Sequence, residues 1–296
     1  MTKTLVGVVI LHWNGAADTI ECLASLSLVN DVDLKIIVVD NGSTDGSAAQ
    51  IKERFGDRVD LLLLPQNLGF ARGNNAGIRY ACEQARPEYL IVMNNDVTVT
   101  PDFARPLLAA LASDPAAALA APMILDLPRK IFWQRPIVQR FNLLTYLCWA
   151  TPLYRWTSRF IRLDLRQSSR VYAVPGSCFC FRRNHLEKID FFDERTFLGS
   201  EEYIIAEKLR QTGLGTVFVP ASVVYHRVGR ATDKLAAAVK AAAFLRSERY
   251  CLIEYFRFSF PARLLIRAWR SILYAGQLLP RGELKEWLKI VGGVPV

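Results

Sequence analysis

Short apolar runs, each ending in polar side chains, alternate along the first part of the chain with stretches whose apolar positions recur every third or fourth residue. Residues 5–11 read as a strand that ends in His12-Trp13-Asn14-Gly15. A helix is predicted next, with Ile20, Leu23 and Leu26 on one face and Asp18 near its start. Residues 34–39 read as a second strand, ending in Asp40-Asn41-Gly42-Ser43-Thr44-Asp45-Gly46; a helix over 47–55 and a strand over 59–64, closed by Pro65, follow. Asn67-Leu68-Gly69-Phe70-Ala71-Arg72-Gly73-Asn74-Asn75-Ala76-Gly77 opens a helix that reaches about Ala85. The run Leu90-Ile91-Val92-Met93 then stops abruptly at Asn94-Asn95-Asp96. Thr100 and Pro101 supply an N-cap and a first-turn proline for a helix through Leu111. Uninterrupted apolar strands suit a sheet covered on both faces, and strands alternating with helices predict a parallel, doubly wound α/β sheet.

The pattern breaks at about residue 126. Between there and Arg170, Trp133, Phe141, Tyr146, Trp149, Tyr154, Trp156 and Phe160 alternate with arginines. Two readings stay open: an excursion packed on the domain with arginines reaching past it to water, or an amphipathic element facing a membrane. Order returns with strand candidates at 171–174 and 178–181, a short helix at 184–189, and a helix from Glu201 to about Thr212 with Ser200 as its N-cap. A strand at 216–219 and a second run at 223–225 lead to His226. The last sixty residues read as helical and basic, with Tyr250, Phe256, Phe260, Leu264, Ile266, Trp269 and Ile272 beside Arg257, Arg263, Arg267 and Arg270. The expected organisation is a domain over 1–230, made of a nucleotide-binding half (1–125), the basic aromatic excursion (126–170) and a second half (171–230), followed by C-terminal amphipathic helices over 231–296.

Composition narrows the class. An apolar fraction of 51% and a charged fraction of 22% are those of a globular chain. No stretch reaches the roughly 18–20 apolar residues of a spanning helix. Met1-Thr2-Lys3-Thr4 runs straight into a strand without a leader-like cleavage site, and the six cysteines are scattered, so a reduced, cytoplasmic protein is expected. The net charge of +9 calls for acidic partners. Its placement is uneven: 129–170 carries nine basic residues against one acid, and 240–289 carries ten against four. Those arginines lie among Trp and Leu, and no zinc-finger spacing or RNP-like motif accompanies them, which favours an anionic membrane surface over nucleic acid.

In open α/β sheets ligands sit outside the carboxyl ends of the strands, which makes Asp96 a candidate for holding a divalent cation at a cleft rim. The plainer reading of Asn94-Asn95-Asp96 is a turn. Three polar strand ends converging on one edge favour the first. The ordered series Val38-Val39-Asp40-Asn41-Gly42-Ser43-Thr44-Asp45-Gly46-Ser47, Asn67-x-Gly69-Phe70-Ala71-x-Gly73-x-Asn75-x-Gly77, Asn94-Asn95-Asp96, Glu201-Glu202, Gly213 and His226 resembles glycosyltransferase family 2, and more narrowly its bacterial rhamnosyltransferase-like branch. The resemblance covers about residues 5–230.

That resemblance implies the GT-A fold, a Rossmann-like and mostly parallel sheet with helices on both faces, and an inverting transfer from a nucleotide diphosphate sugar. Asp40 matches the acid that binds the nucleotide base, with Asn14 beside it. Asn67, Gly69, Arg72 and Asn75 match the loop bordering the nucleotide. Asp96 matches the carboxylate that holds Mg2+ or Mn2+, with Asn95 as a helper, and His226 matches a histidine completing the metal site. Asp45 is open between a turn residue and a binding one. Glu202 matches the catalytic base, and Glu201 its neighbour. The sequence departs from the family at Asn94, where an acid is usual, at Glu202, where Asp is usual, and at Ile204 and Lys208 further along the same helix. UDP-sugars and dTDP-rhamnose are the donors implied, with dTDP-rhamnose favoured by the branch. A lipid-linked or nascent surface saccharide is the acceptor implied, reached from the inner face of the cytoplasmic membrane. The competing classes are a nucleotidyltransferase, for which the first turn lacks the glycine-rich loop and lysine of a triphosphate cradle, and a basic binding protein without catalysis.

Overall fold

The central strand β1 (Leu5–His12) is paired on both edges, in parallel, with β2 (Asp33–Asp40) and β4 (Tyr89–Asn94). Its residues Val6, Val8, Val9 and Ile10 are wholly buried, because helices cover both faces of the sheet. The computed structural model describes residues 3–127, 135–148, 163–227 and 237–278, with the single positions 282, 285 and 288. The other elements are α1 (Ala16–Leu26), α2 (Ser47–Phe55), β3 (Asp60–Leu63), α3 (Phe70–Gln84), β5 (Val97–Val99), α4 (Ala104–Ser113), β6 (Ala117–Asp126), α5 (Leu143–Cys148), β7 (Ser169–Val171), β8 (Cys178–Arg182), α6 (Arg183–Lys188), α7 (Glu201–Gln211), β9 (Gly215–His226), α8 (Ala237–Glu254) and α9 (Phe260–Leu278).

The nine strands form one sheet in the order β3-β2-β1-β4-β8-β6-β9-β5, with β7 also on β9. Strand β8 is antiparallel to both β4 and β6, so β6 and β9 run in the same direction as β1–β4. The sheet is therefore mostly parallel, as the strand–helix alternation predicts. On one face Leu23, Leu26, Ile51, Phe55, Phe103 and Leu107 pack against the sheet; on the other, Ala71, Ile78, Leu186, Ile205 and Leu209 do so. The period-two logic of β8 holds in detail. Cys178 and Cys180 enter the first of these cores, and Phe179 and Phe181 the second. All six cysteines are free thiols.

Four expectations need correction. Strand β6 went unread because Ala-Ala-Leu-Ala-Ala has the propensity of a helix; burial between β8 and β9 overrides it, and Pro122 is tolerated at a register shift against β9. Residues 216–219 and 223–225 belong to one long strand, β9. The Thr100-Pro101 segment is a turn, closed by the Phe103 N–H on the Thr100 carbonyl at 3.2 Å, and α4 begins only at Ala104. Ser200 precedes α7 at φ +68° and makes no side-chain cap.

A third apolar cluster joins the C-terminal helices to the domain. Phe141 and Tyr146 pack with Tyr203 and Ile204 of α7 and with Cys251, Leu252, Phe256 and Ile266. Here the basic aromatic excursion is packed on the domain, and Arg140 pairs with the buried Glu207 at 2.6 Å. Its members Trp133, Trp149, Tyr154, Trp156 and Phe160 lie outside the described residues. Glu248 accepts from the Tyr146 hydroxyl at 2.8 Å and from Arg270 Nε at 2.9 Å, pinning α5, α8 and α9 together. The outer side of α9 leaves Leu264, Leu265, Trp269 and Ile272 exposed. Among the described residues no helix is long and apolar enough to cross a membrane.

Phe256 stands at the centre of this cluster, with ring centroids 5.7 Å from Tyr146 and 6.5 Å from Tyr203. Phe256→Ala is expected to cost about 3–5 kcal/mol in urea unfolding. A loss within about 0.5 kcal/mol, as at an ordinary surface position, would show that the cluster does not hold the helices.

Candidate active site

Parallel strands place their carboxyl ends on one edge, and His12, Asp40 and Asn94 stand there together. His12 is wholly buried and structural. Its Nδ1 lies 2.7 Å from Thr19 Oγ1 and its Nε2 2.8 Å from Ser47 Oγ, tying the starts of α1 and α2 beneath the edge. The Asn95 amide turns into the same network and donates to Thr19 Oγ1 at 2.9 Å. Sequence reasoning passed over His12, because a strand-terminal histidine carries no signal of its own.

The first polar pocket lies between β1 and β2. Asp40, almost fully buried, accepts from the Ser43 N–H at 3.2 Å and from the Ser43 hydroxyl. Ser43 Oγ in turn accepts the Asn14 N–H at 2.8 Å, and the Asn14 side chain accepts the Thr44 N–H at 2.9 Å. Asn14 takes φ +53°, one of the few residue types that tolerate it. Asp45 holds the backbone: it accepts from Gly15 N–H at 2.6 Å and from Ser47 N–H at 3.0 Å. Bonds from Ser47 and then Gly15 hold its carboxyl down at about 2. Asn41, which sequence reasoning left without a role, cross-links this pocket to the next loop. Its amide donates to Asn67 Oδ1 at 3.0 Å and its oxygen accepts the Leu68 N–H at 2.9 Å.

The Asn67–Gly77 loop and helix then brace the segment that carries the acidic pair. Gly69 sits at φ +83°, and a Cβ there would lie 2.5 Å from the Phe197 carbonyl oxygen, so only glycine fits. Phe70 N–H donates to that carbonyl at 2.8 Å. Arg72 Nε donates to the Glu194 carbonyl at 3.1 Å. Asn75 is buried; it donates to the Phe192 carbonyl at 2.9 Å and accepts the Phe192 N–H at 3.1 Å. Lys208, one of the departures noted above, holds the Asp190 and Phe191 carbonyls at 3.0 and 2.7 Å. Asp193 anchors the far side. Burial opposes its charge, yet bonds from Arg195, Tyr250 and Tyr255 keep its pKa well below the carboxylate range.

Glu201 and Glu202 open α7 directly after this braced segment. Glu202 Oε1 accepts the Gly176 N–H at 3.2 Å. The next carbonyl, that of Ser177, accepts the Asn94 N–H at 3.0 Å, so the acid is tied through two consecutive residues to the end of β4. Glu201 Oε2 is buried without a partner. Burial, and then the adjacent Glu202 charge, push Glu201 well above the usual carboxylate range; burial raises Glu202 too, against the Gly176 bond that lowers it.

Asp96 and His226 are 130 residues apart and meet because β5 pairs antiparallel with the end of β9, Val97 opposite His226. Asp96 Oδ1 lies 3.0 Å from His226 Nε2 and has no hydrogen-bond donor. Both are nearly buried. A carboxylate oxygen and an imidazole nitrogen side by side are a donor set that would suit a divalent cation. Among the described residues no group of three or more His, Cys, Asp or Glu converges as a complete cation cage. Arg227, next to His226, is paired with Glu21 of α1 and fixes the strand end.

A family model described as glycosyl transferase family 2 matches residues 7–190. The chain belongs to this family. As a family 2 glycosyltransferase it is similar to the N-acetylglucosaminyl-diphospho-decaprenol L-rhamnosyltransferase of Mycobacterium tuberculosis strain H37Rv, with 31% identity over 92% of each chain. Among solved structures it resembles S. aureus TarS 1-349 in complex with UDP-GlcNAc, at TM-score 0.61 and 15% identity over 99% of this chain and 80% of that one. It also resembles a mannosyltransferase of Pyrobaculum calidifontis in complex with GDP-Man and Mn2+, at TM-score 0.60 and 18% identity over 98% and 76%. These structural likenesses establish the GT-A fold.

Asn75 both donates to and accepts from the segment leading to the acidic pair. Asn75→Ala leaves the Phe192 N–H and carbonyl unpaired in the interior, so a stability loss of about 1–3 kcal/mol is expected in chemical denaturation. An unchanged midpoint would show that the brace contributes nothing.

Proposed function

We propose that this protein is an inverting glycosyltransferase that moves a sugar from a nucleotide diphosphate donor, dTDP-rhamnose first and a UDP-sugar second, to a hydroxyl of a saccharide carried on a diphospho-polyprenol. The observation that carries the proposal is the continuous connection from Glu202 through Gly176 and Ser177 to Asn94, and on to the Asp96–His226 pair. It ties a buried acid and the Asp96–His226 pair to one strand end, which supports a metal-assisted transfer there. The rhamnosyl donor and the diphospho-lipid acceptor are supported by the name of the mycobacterial relative. We place the protein in the cytoplasm, peripheral on the inner face of the cytoplasmic membrane, where such an acceptor is exposed.

In this reading Asp40 and Asn14 take the base end of the nucleotide, and the 67–75 loop borders its ribose. Asp96 and His226 would hold Mg2+ or Mn2+, which supplies positive charge against the departing diphosphate. Glu202 takes the proton of the acceptor hydroxyl as the oxygen attacks the anomeric carbon. The new C–O bond forms on the face opposite the leaving group, the old bond to the diphosphate breaks, and the configuration inverts. The proton ends on Glu202. Burial keeps Glu202 more basic than an ordinary carboxylate, and its charge in turn holds the proton on Glu201.

Glu202→Gln is expected to lower turnover by about 10²–10⁴-fold while donor affinity, measured by calorimetry, is retained; near-normal turnover would sink the assignment. The base works only when ionised. Turnover of the wild type should therefore fall on the acid side at a pH above the usual carboxylate range. Burial is the cause of that rise, and Glu201 keeps its proton while Glu202 ionises, so Glu201→Gln should leave the acid limb in place. A limb that moves to lower pH in that variant would show that a Glu201 charge sets it.

With only two protein ligands, Mn2+ should bind the free protein weakly and bind at least about tenfold more tightly once nucleotide diphosphate is present, since the phosphates complete the shell. Asp96→Asn should abolish that enhancement. Tight Mn2+ binding by the free protein, followed by titration calorimetry, would contradict the two-ligand site.

A further inference from the structure

Residues of α8 and α9 line an open groove between the two helices. Its walls are apolar, formed by Leu245, Leu252, Ile253, Phe260 and Leu264, and three arginines, Arg249, Arg263 and Arg267, share the lining. Glu248 also lines it, with its Oε1 accepting from Tyr146 and Arg270. Arg263 Nε and Arg267 Nη1 are buried donors without an acceptor. A buried guanidinium N–H left unpaired is costly, and such groups mark a place where a missing acceptor belongs.

The required ligand has two parts. It must bring several anionic oxygens, because three arginines from the two helices share the lining. It must also bring a long apolar chain, because a bare phosphate leaves the Leu, Ile and Phe walls wet. The groove lies close to the catalytic segment. Phe244, adjacent to Leu245, packs on Gly199 so closely that a Cβ there would lie 2.2 Å from the Phe244 ring, and Gly199 is two residues before Glu201. Leu252 also packs with Tyr203 and Ile204, on the first turn of α7.

We propose that this groove seats the lipid diphosphate of the acceptor, with Arg249, Arg263 and Arg267 on the diphosphate oxygens and the apolar walls on the first isoprene units. The proposal rests on the diphospho-polyprenol reading above. Its test needs neither donor nor transfer: the binding of farnesyl diphosphate to the full chain, beside farnesol, inorganic pyrophosphate and phosphatidylglycerol vesicles. Farnesyl diphosphate should bind at least about tenfold more tightly than farnesol. The double variant Arg263→Gln, Arg267→Gln should weaken it by at least about tenfold and leave nucleotide affinity unchanged. Hydrogen exchange on the unaltered protein gives a second readout, independent of whether that variant folds: farnesyl diphosphate should protect residues 242–267. Binding without protection there overturns the proposal. So does pyrophosphate giving the same protection, which would mark a simple anion site, or vesicles displacing farnesyl diphosphate from the groove, which would mark a bilayer contact. If farnesyl diphosphate binds as expected but no rhamnosyl transfer to a lipid-linked saccharide occurs, the groove stands and the transferase reading falls.

Discussion

The pairing of β4 on both edges, parallel to β1 and antiparallel to β8, is the constraint on which the site depends. A strand buried on both faces and bonded on both edges has no freedom of register, since a slip by one residue would turn its apolar set inside out. Its end is therefore a fixed point. The reversal at β8 matters as much as the burial. Because β8 runs the other way, the residues before it, Gly176 and Ser177, arrive at the same edge as Asn94. One backbone N–H then reaches Glu202 and one carbonyl takes the Asn94 N–H. Neither contact would exist had the sheet stayed wholly parallel.

The buried acids divide by whether they have partners. Glu207 is held by Arg140, Arg210 and Tyr172, Glu248 by Tyr146 and Arg270, and Asp193 by Arg195, Tyr250 and Tyr255. Each joins elements distant in the chain through bonds made within the protein. Glu201 and Asp96 differ: each keeps a buried oxygen without a donor, beside Glu202 and His226 respectively. Buried polar atoms cost stability unless something pairs with them. The satisfied carboxylates make the frame, and Glu201 and Asp96 lie where the chemistry is proposed, while Asp31, with a third such oxygen, lies just before β2.

The same division runs through the nucleotide-side residues. Asn67, Arg72 and Asn75 spend their described bonds on the protein itself, on Asn41, Gly69, and the 192–194 segment. They couple the 67–75 loop to the segment that ends at Glu201. In the proposed function a donor settling against that loop would press on the same structure that positions the acid. The Gly-Phe-Ala stretch of the motif is there to let two backbones touch at Phe197.

What the sequence determined by itself is local and periodic. The apolar runs at 6–10, 36–39 and 90–93 can only be strands covered on both faces, and the polar clusters that follow them mark one edge. That alone made Asp96 a candidate; Asp40 was singled out by the family resemblance. The helices at 47–55 and 201–211 were legible for the same reason, since one face of each must be apolar. Only the tertiary structure decided the rest. Ala117–Ala121 became a strand because two neighbours left an extended slot for small side chains, a preference that alanine does not carry. Residues 97–99 became one because β9 offered a free edge at its end. That pairing alone brings Asp96 to His226. Local propensity sees a few residues in either direction; contacts across a hundred or more residues are set by which edges and faces remain open once the core has closed.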